Sequence, residues 1–201
     1  MSGSSDLIPI VSKIFCSSSL TTLTVRKRPR VVNGGGFAVT DRRPKTIFTV
    51  DGCGVIGSKG QLLVRDEDGA SILRIQKKGG VVQALSTGHQ WKGFADNQGT
   101  NKLVFSLKES RACFAKNERI RICTEPRSSH RDWDYEVHGS FPDKDCSIND
   151  RRGAIVAEVI VSEMMESKEI YQLIVRPGYD QAFVVGVIAV LDSIHGESTS
   201  C

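Results

Sequence analysis

The segment RPGYDQAFVVGVIAVLDSIHGES, residues 176–198, decides the architecture of this chain. Its central part, residues 182–191, carries no polar side chain, and Asp180 and Asp192 bracket it closely. Ten residues of helix rise about 15 Å, roughly half of a bilayer's hydrocarbon core, so the segment does not span a membrane. It is therefore either a buried strand or a buried helix.

Side-chain type and end signals favour different structures for this segment. Asp180, which follows Pro177-Gly178, suits a helix N-cap, and Gly196 suits the position just after a helix C-terminus. Propensity alone favours a strand, because the run is rich in β-branched residues, namely Val184, Val185, Val187, Ile188 and Val190.

Helical spacing would sort the same residues into two faces. Ala182, Gly186 and Ala189 form a face of small residues, and the bulky face consists of Phe183, Val187, Val190 and Ile194. A helix that is apolar all round must be buried on all sides. A closed sheet with the helix through its middle would bury it in this way.

The rest of the chain alternates apolar and polar residues, as half-buried antiparallel strands do. In KLVFSLK, for example, Leu103, Phe105 and Leu107 share one face. About a dozen strands are predicted, among them residues 20–26, 36–41, 46–51, 61–66, 71–77, 81–86, 90–94, 102–108, 119–123, 134–138 and 171–176. So many antiparallel strands tend to close or fold over, so a mainly β barrel or sandwich is expected.

One turn pattern recurs between apolar strands. An Asp ends the first strand, and a Pro or Gly follows three residues later, in the pairs Asp41 and Pro44, Asp66 and Gly69, and Asp150 and Gly153. Asp hydrogen-bonds its own backbone in turns, Pro presets φ, and Gly accepts positive φ. These patterns predict three hairpins rather than Ca²⁺ loops, which need more oxygen ligands at alternating positions.

The beginning of the chain differs from the rest. It is Ser-rich, and neither a secretory signal nor a transit peptide fits it well. Residues 1–19 are predicted to be a loosely ordered arm, docked by Ile8, Ile10, Ile14 and Phe15, and residues 20–201 to be one domain.

Neither a metal site nor a catalytic site is expected. The six cysteines include no C-x-x-C pair and have no neighbouring His, so free thiols in a reducing compartment fit best. Ser128-Ser129-His130-Arg131-Asp132 contains the residue types of a catalytic triad, but adjacency in a loop does not supply triad geometry. We therefore expect no catalytic residue, no metal and no cofactor.

Basic clusters are the strongest functional signal. Residues 1–100 carry 14 Lys/Arg and 7 Asp/Glu, a net charge of +7. The candidate residues for binding anionic lipid or phosphate are Arg26, Lys27, Arg28, Arg30, Arg42, Arg43, Lys45, Arg74, Lys77 and Lys78. A solvated strand face is the alternative. Aromatic residues are only 6% of the chain, so a specific nucleic-acid partner is not expected.

Several stretches, in order, resemble the plant LURP-one-related family: NGGGFAVTD, TVDG, QWKGF, YEVHGSF, CSINDRRGAIVAEV and LIVRPGYDQAFVVGVIAVLDSI. The family is similar in fold to the tubby C-terminal domain and to phospholipid scramblases. The resemblance implies a barrel of about twelve strands around a buried C-terminal helix, and it decides helix over strand for residues 182–194. One departure is Pro44, where relatives commonly have Gly.

The resemblance implies a function only in outline. It suggests a non-catalytic binding or regulatory module, tethered to membranes through phosphoinositides and linked to plant defence or transcriptional signalling. A protein–protein scaffold is the alternative, and an enzyme of unknown type is third. We expect an intracellular monomer in the cytoplasm, peripheral at the plasma membrane or nuclear.

Overall fold

The computed structural model describes residues 7–29, 34–52, 60–78, 90–97, 100–108, 120–127, 132–161, 169–196 and 198–199. In these residues, twelve antiparallel strands form one closed barrel in which each strand pairs with its chain neighbours and β1 closes onto β12. The strands are β1 (Thr21–Lys27), β2 (Gly36–Thr40), β3 (Thr46–Asp51), β4 (Gln61–Arg65), β5 (Ser71–Lys78), β6 (Gln90–Asn97), β7 (Thr100–Lys108), β8 (Ile120–Thr124), β9 (Tyr135–Ser140), β10 (Asp145–Asp150), β11 (Ile155–Val161) and β12 (Ile170–Val175). The predicted closed β-barrel is confirmed, and the predicted strand 81–86 lies outside the described residues.

Period-two alternation puts one face of each strand into the core. In β4, Leu62 and Val64 are fully buried, whereas Gln61, Leu63 and Arg65 point outward. The same alternation continues around the barrel wall, so its interior is lined by apolar side chains. Most polar side chains of the strands therefore lie on the outer wall.

The three predicted Asp hairpins are confirmed and share one construction. In each, an Asp oxygen accepts the backbone N–H groups two and four residues further on, at 2.8–3.4 Å. A register shift precedes each Asp. Gly69 and Gly153 have φ of +81° and +79°, whereas the turn with Pro44 keeps its Asp bonds without any residue at positive φ.

The apolar segment is a helix, α1 (Gln181–Ile194), as the resemblance implied. Every residue from 182 to 191 is buried, and Gly196 follows the helix with φ of +70°. The small-residue face meets the barrel wall, because a Cβ on Gly186 would lie 2.5 Å from Leu73 Cδ2. The predicted buried C-terminal helix is thus confirmed, and α1 fills the barrel, with Ile194 only partly buried at its end.

Asp180 joins the start of α1 to the N-terminal arm. One carboxylate oxygen accepts the N–H groups of Ala182 and Phe183 at 3.0 and 3.1 Å. The other oxygen accepts three arm N–H groups, from Ile10, Val11 and Ser12, at 2.7–3.0 Å. We call this end of the barrel the arm end.

The described part of the arm, residues 7–19, packs on the barrel in two places. Phe15, in a short 3₁₀ helix (Lys13–Phe15), meets the Phe48 ring edge-on at 5.5 Å, and Ile10 packs against the core. The prediction that Ile14 docks was wrong, because Ile14 is 81% exposed at the tip of this turn. The division of the chain at residue 19 stays a prediction.

At the opposite end, which we call the tail end, Asp192 joins α1 to the C-terminal tail. Its carboxylate accepts the Thr199 N–H at 2.6 Å and the Ser198 hydroxyl at 3.1 Å. The Ser198 carbonyl in turn accepts the N–H of Gly36 at the start of β2. Buried aspartates therefore tie the start of α1 to the arm and its end to the C-terminal tail, which in turn bonds β2.

Candidate functional site

The first two predicted basic clusters lie at opposite ends of the barrel. Arg26, Lys27 and Arg28 lie at the tail end of β1, next to the start of β2. Arg42, Arg43 and Lys45 lie in the turn after β2, at the arm end. Five residues of strand, roughly 17 Å, separate the two clusters, so they do not form one surface. Arg30 lies outside the described residues.

Arg28 has a structural role on the outer wall. Its guanidinium donates to Asp51 Oδ1 at 2.8 Å and to the Val50 carbonyl at 2.6 Å. Arg65 donates to the other Asp51 oxygen at 2.9 Å. Arg28 can cross β2 because Gly36, opposite Asp51, has no side chain in the way. The Arg28 guanidinium therefore already has an ion-pair partner, Asp51, within the barrel wall.

Two other predicted basic residues also have partners. Lys45 forms an exposed ion pair with Glu67 at 2.5 Å, and the hydrogen bond with this carboxylate raises the pKa of Lys45. The Lys77 ammonium lies 5.4 Å from the centroid of the buried Trp91 ring, a cation–π contact.

The third cluster gains neighbours from other strands. Arg74 and Lys78 point outward from β5, as Lys92 does from β6 and Lys108 from β7. Gln90 lies opposite both Lys78 and Lys108, and Gln76 lies opposite Lys92. Diagonal neighbours on adjacent strands are about 7–8 Å apart. We call these four cations, Arg74, Lys78, Lys92 and Lys108, the basic wall.

The basic wall has little counter-charge. Across β5, β6 and β7 there is a single carboxylate, Asp96, and it lies near the arm end of β6. Within the described residues, none of the four cations forms an ion pair at 4.0 Å or less. Sequence reasoning missed Lys92 and Lys108 because each is isolated along the chain, and only strand register joins them to the cluster.

A second candidate site is a cavity of about 540 Å³ at the arm end, which we call the mouth cavity. It opens between the ends of β8, β9 and β10. Thr124, Tyr135 and Asp150 line its wall, Tyr179 comes from the segment before α1, and Ile8 comes from the arm. No contiguous motif marks this site, because five separate segments supply these side chains.

The carboxylates of the mouth cavity are held in place by the backbone. Asp134 Oδ2 accepts the N–H and hydroxyl of Thr124 at 2.8 and 3.0 Å. Asp150 Oδ1 accepts two turn N–H groups, each at 2.9 Å. The Tyr179 hydroxyl also bonds Asp150. Two oriented acidic groups therefore face the cavity.

Both tyrosines of the cavity stay protonated at neutral pH. Burial raises the pKa of Tyr135, and the negative charges of Asp134 and Asp150 raise it further. Burial also raises the pKa of Tyr179, with Asp150 adding to the effect and Arg152 opposing it. The Tyr135 hydroxyl can therefore donate a hydrogen bond to a ligand, whereas the Tyr179 hydroxyl donates its hydrogen bond to Asp150.

The remaining predictions concern the triad-like segment at residues 128–132 and metal binding. Ser128, Ser129, His130 and Arg131 lie outside the described residues, and the exposed Asp132 uses its carbonyl to accept the Cys123 thiol at 3.1 Å. In the described ranges, His, Cys, Asp and Glu form no group of three suited to a metal ion. The absence of catalysis, metal and cofactor stays a prediction. Among the helices of the described chain, none is both long and apolar enough to cross a bilayer.

Comparisons with known proteins agree with the fold. A family model described as LURP-one-related matches residues 21–192. Protein LURP-one-related 6 of Arabidopsis thaliana is 51% identical over 194 residues, covering 96% of this chain and 98% of that protein. Protein LURP-one-related 16 of the same plant is 45% identical, covering 96% and 95%. An X-ray structure of an Arabidopsis thaliana protein superposes with a TM-score of 0.67 at 19% identity, over 93% of this chain and 98% of that one.

Proposed function

The chain belongs to the LURP-one-related family, and from this premise we propose that it is a non-catalytic binding module that attaches to anionic membrane lipids through the basic wall. The observation that carries the proposal is the grouping of four outward-facing cations on β5, β6 and β7 without ion-pair partners among the described residues. The link to plant defence or transcriptional signalling rests on the resemblance alone and stays a prediction.

The chemistry of the basic wall suits phosphate-bearing headgroups. Lys and Arg near a membrane surface each contribute roughly 1 kcal/mol of attraction to anionic lipids. Four such groups at diagonal spacing on a rigid sheet give a multivalent surface, and the neutral Gln76, Gln90 and Ser106 between them can donate hydrogen bonds to phosphate oxygens. This surface supports lipid attachment better than Arg26–Arg30, where Arg28 is paired with Asp51.

A protein–protein scaffold is the second candidate. Ile155, Ile160 and Val161 of β11 are 37%, 37% and 45% exposed, although the strand lies in a closed barrel. Ile160 and Val161 lie together at the tail end of the strand, whereas Ile155 lies at its arm end, and an exposed apolar pair of this kind favours a protein partner. This surface lies on a different part of the barrel from the basic wall, so the two functions can be separated by mutation.

Liposome co-sedimentation tests the lipid proposal. Phosphatidylcholine vesicles with and without a phosphoinositide would be compared at low and high salt. Binding should require the anionic lipid and should weaken with salt, because exposed charges are screened over about 8 Å at physiological ionic strength. Replacing Arg74, Lys78, Lys92 and Lys108 by Gln should lower the partition coefficient by two orders of magnitude or more, at roughly 1 kcal/mol per cation.

A matched variant provides the control. Replacing Arg26, Lys27, Arg42 and Arg43 by Gln removes the same charge from the first two clusters and should leave most of the binding. If the control variant loses binding and the basic-wall variant keeps it, the proposed surface is wrong. If wild type ignores anionic vesicles at low salt, lipid attachment is ruled out and the scaffold becomes the better candidate. Equal affinity for duplex DNA would mean that the surface selects polyanions in general rather than lipid.

A further inference from the structure

The mouth cavity contains a buried polar group that has no partner among the described residues. Tyr135 is only 7% exposed, and its hydroxyl forms no hydrogen bond with any part of the described chain. Its ring packs on Phe183 with ring centroids 5.2 Å apart, which orients the side chain. Buried polar groups in native proteins are almost always paired, and leaving one unpaired costs free energy. Because Tyr135 lines the cavity, its hydroxyl can bond a molecule that occupies it.

The charged side chains that line the cavity balance one another. Asp134 and Asp150 are both acidic, and Arg151 and Arg152 are both basic, so the lining carries no net charge. Both carboxylates accept hydrogen bonds from the chain, and the Arg151 guanidinium lies over the Trp133 ring at 5.6 Å. An ion that entered would lose water without gaining an excess of opposite charge, which costs free energy. The lining therefore favours a ligand without net charge.

The cavity offers hydrogen-bonding capacity of both kinds. The Tyr135 hydroxyl can donate one hydrogen bond and accept others. A carboxylate has about four acceptor positions, and the two turn N–H groups and the Tyr179 hydroxyl leave one of them open on Asp150. A ligand hydroxyl can accept from Tyr135 and donate to Asp150. The bond to the carboxylate is charge-assisted, although the ligand itself is neutral.

Apolar surface lies beside these polar groups. Ile8 contributes an aliphatic side chain and Tyr179 an aromatic ring to the same cavity. The volume of about 540 Å³ lies within the range of small-molecule sites, roughly 300–1,000 Å³. A sugar ring combines hydroxyl groups at its edge with C–H groups on its faces. We propose that the mouth cavity binds a neutral mono- or disaccharide, which bonds Tyr135 and Asp150 through its hydroxyl groups.

The test is a titration of the isotope-labelled full chain followed by NMR. Methyl α-D-glucopyranoside and methyl β-D-galactopyranoside present neutral rings with different hydroxyl geometry, and maltose presents two rings. At least one of these probes should shift the amide signals of Tyr135, Asp150 and Tyr179. Glucosamine and glucuronate add a positive or a negative charge to a similar ring, and glycylglycine is a zwitterion. Each of these three should bind no more tightly than the best neutral sugar.

Removing the Tyr135 hydroxyl separates a ligand contact from a structural role. Tyr135→Phe should weaken binding of the best neutral probe roughly threefold to tenfold, as expected for one hydrogen bond. Without sugar, its thermal midpoint should stay unchanged or rise, because the hydroxyl has no partner in the described chain. Tyr171→Phe is the matched control. It removes the same group from β12 at the tail end and should leave sugar binding unchanged.

Filling the cavity from its rim provides a second variant. Ile8 is 38% exposed, so Ile8→Trp should occupy the cavity and abolish binding without disturbing the core. Ile14→Trp makes the same change at an 81% exposed position outside the cavity and should bind like wild type. Thermal midpoints report whether each variant folds.

Four results would overturn the inference. The first is that none of the three neutral sugars shifts the mouth signals, and the second is that a charged analogue or the dipeptide binds more tightly than they do. The third is that folded Tyr135→Phe or Ile8→Trp binds sugar like wild type. The fourth is a clear fall in the thermal midpoint of Tyr135→Phe, which would reveal a structural partner for the hydroxyl.

Discussion

At the scale of single residues, Asp180 shows how one carboxylate can organise two parts of a chain. Each of its oxygens serves a different segment: one caps α1 and the other receives three N–H groups of the arm. Asn is as good an N-cap as Asp in general. At position 180, however, an Asn side chain has only one oxygen. Its NH₂ group would therefore face backbone N–H donors, either those of α1 or those of the arm.

We therefore expect Asp180→Asn to lower the free energy of unfolding by about 2–3 kcal/mol, the range for lost hydrogen bonds to a charged group. Chemical denaturation would measure it. Asp66→Asn is the matched control, because the two turn N–H groups there bond a single oxygen, which Asn retains. Its effect should be within about 0.5 kcal/mol. Equal losses in the two variants would show that the second oxygen of Asp180 contributes nothing.

At the scale of elements, the close approach of α1 to the wall rests on Gly186. A Cβ there would lie 2.5 Å from Leu73 Cδ2 and 3.4 Å from Ile75 Cδ1. Gly93 of β6 likewise leaves space for a neighbouring side chain, since a Cβ there would lie 2.3 Å from the Phe105 ring. Phe105 in turn packs edge-on against Phe183 of the helix. These two glycines make room for the side chains between helix and sheet.

Gly186→Leu should overpack this contact and cost about 1–3 kcal/mol or more in unfolding free energy. Leu73→Ala alone should cost about 2–5 kcal/mol through the cavity it leaves. The double variant should be less destabilised than the sum, because the added side chain occupies the space vacated by Leu73. Urea denaturation of the wild type, the two single variants and the double variant gives the coupling free energy between positions 186 and 73. Strictly additive losses would contradict the contact.

The elements also show which features could be predicted from the sequence. The bounds of β3 and the three Asp hairpins followed from period-two alternation and turn chemistry, which are local signals. The helix did not follow from propensity, because its β-branched residues favour a strand. Its caps and the family resemblance were needed, since burial inside a barrel outweighs propensity.

Most residues of the candidate sites could not be grouped from the sequence alone, and the reason is physical. The partnership of Arg28 with Asp51 crosses β2, and Lys92 joins Arg74 only through strand register. The mouth cavity draws Ile8 and Tyr179 from opposite ends of the chain. Such sites depend on how the barrel closes, and a linear pattern of residue types does not specify that closure.

At the scale of the whole molecule, α1 is the core that the barrel closes around. Removing residues 180–201 should abolish cooperative folding, because the inward faces of the strands would lose their apolar partner. Removing only residues 198–201 should leave a cooperative but less stable protein, since Asp192 would lose its Ser198 and Thr199 donors. Thermal unfolding and size-exclusion chromatography distinguish these outcomes. A soluble, monomeric, cooperatively folded 1–179 fragment would contradict the central role of α1.

The bond between Asp180 and Val11 joins residues 169 positions apart, and β1 pairs with β12. The contact with Asp180 forms only after the segment before α1 has left the ribosome, and the helix that fills the interior is synthesised after all twelve strands of the barrel. Domains with such non-local contacts fold slowly, and their apolar surfaces are exposed meanwhile. The nascent chain must therefore carry an unfilled, open sheet until α1 has been synthesised, and its exposed apolar surfaces favour aggregation during that interval.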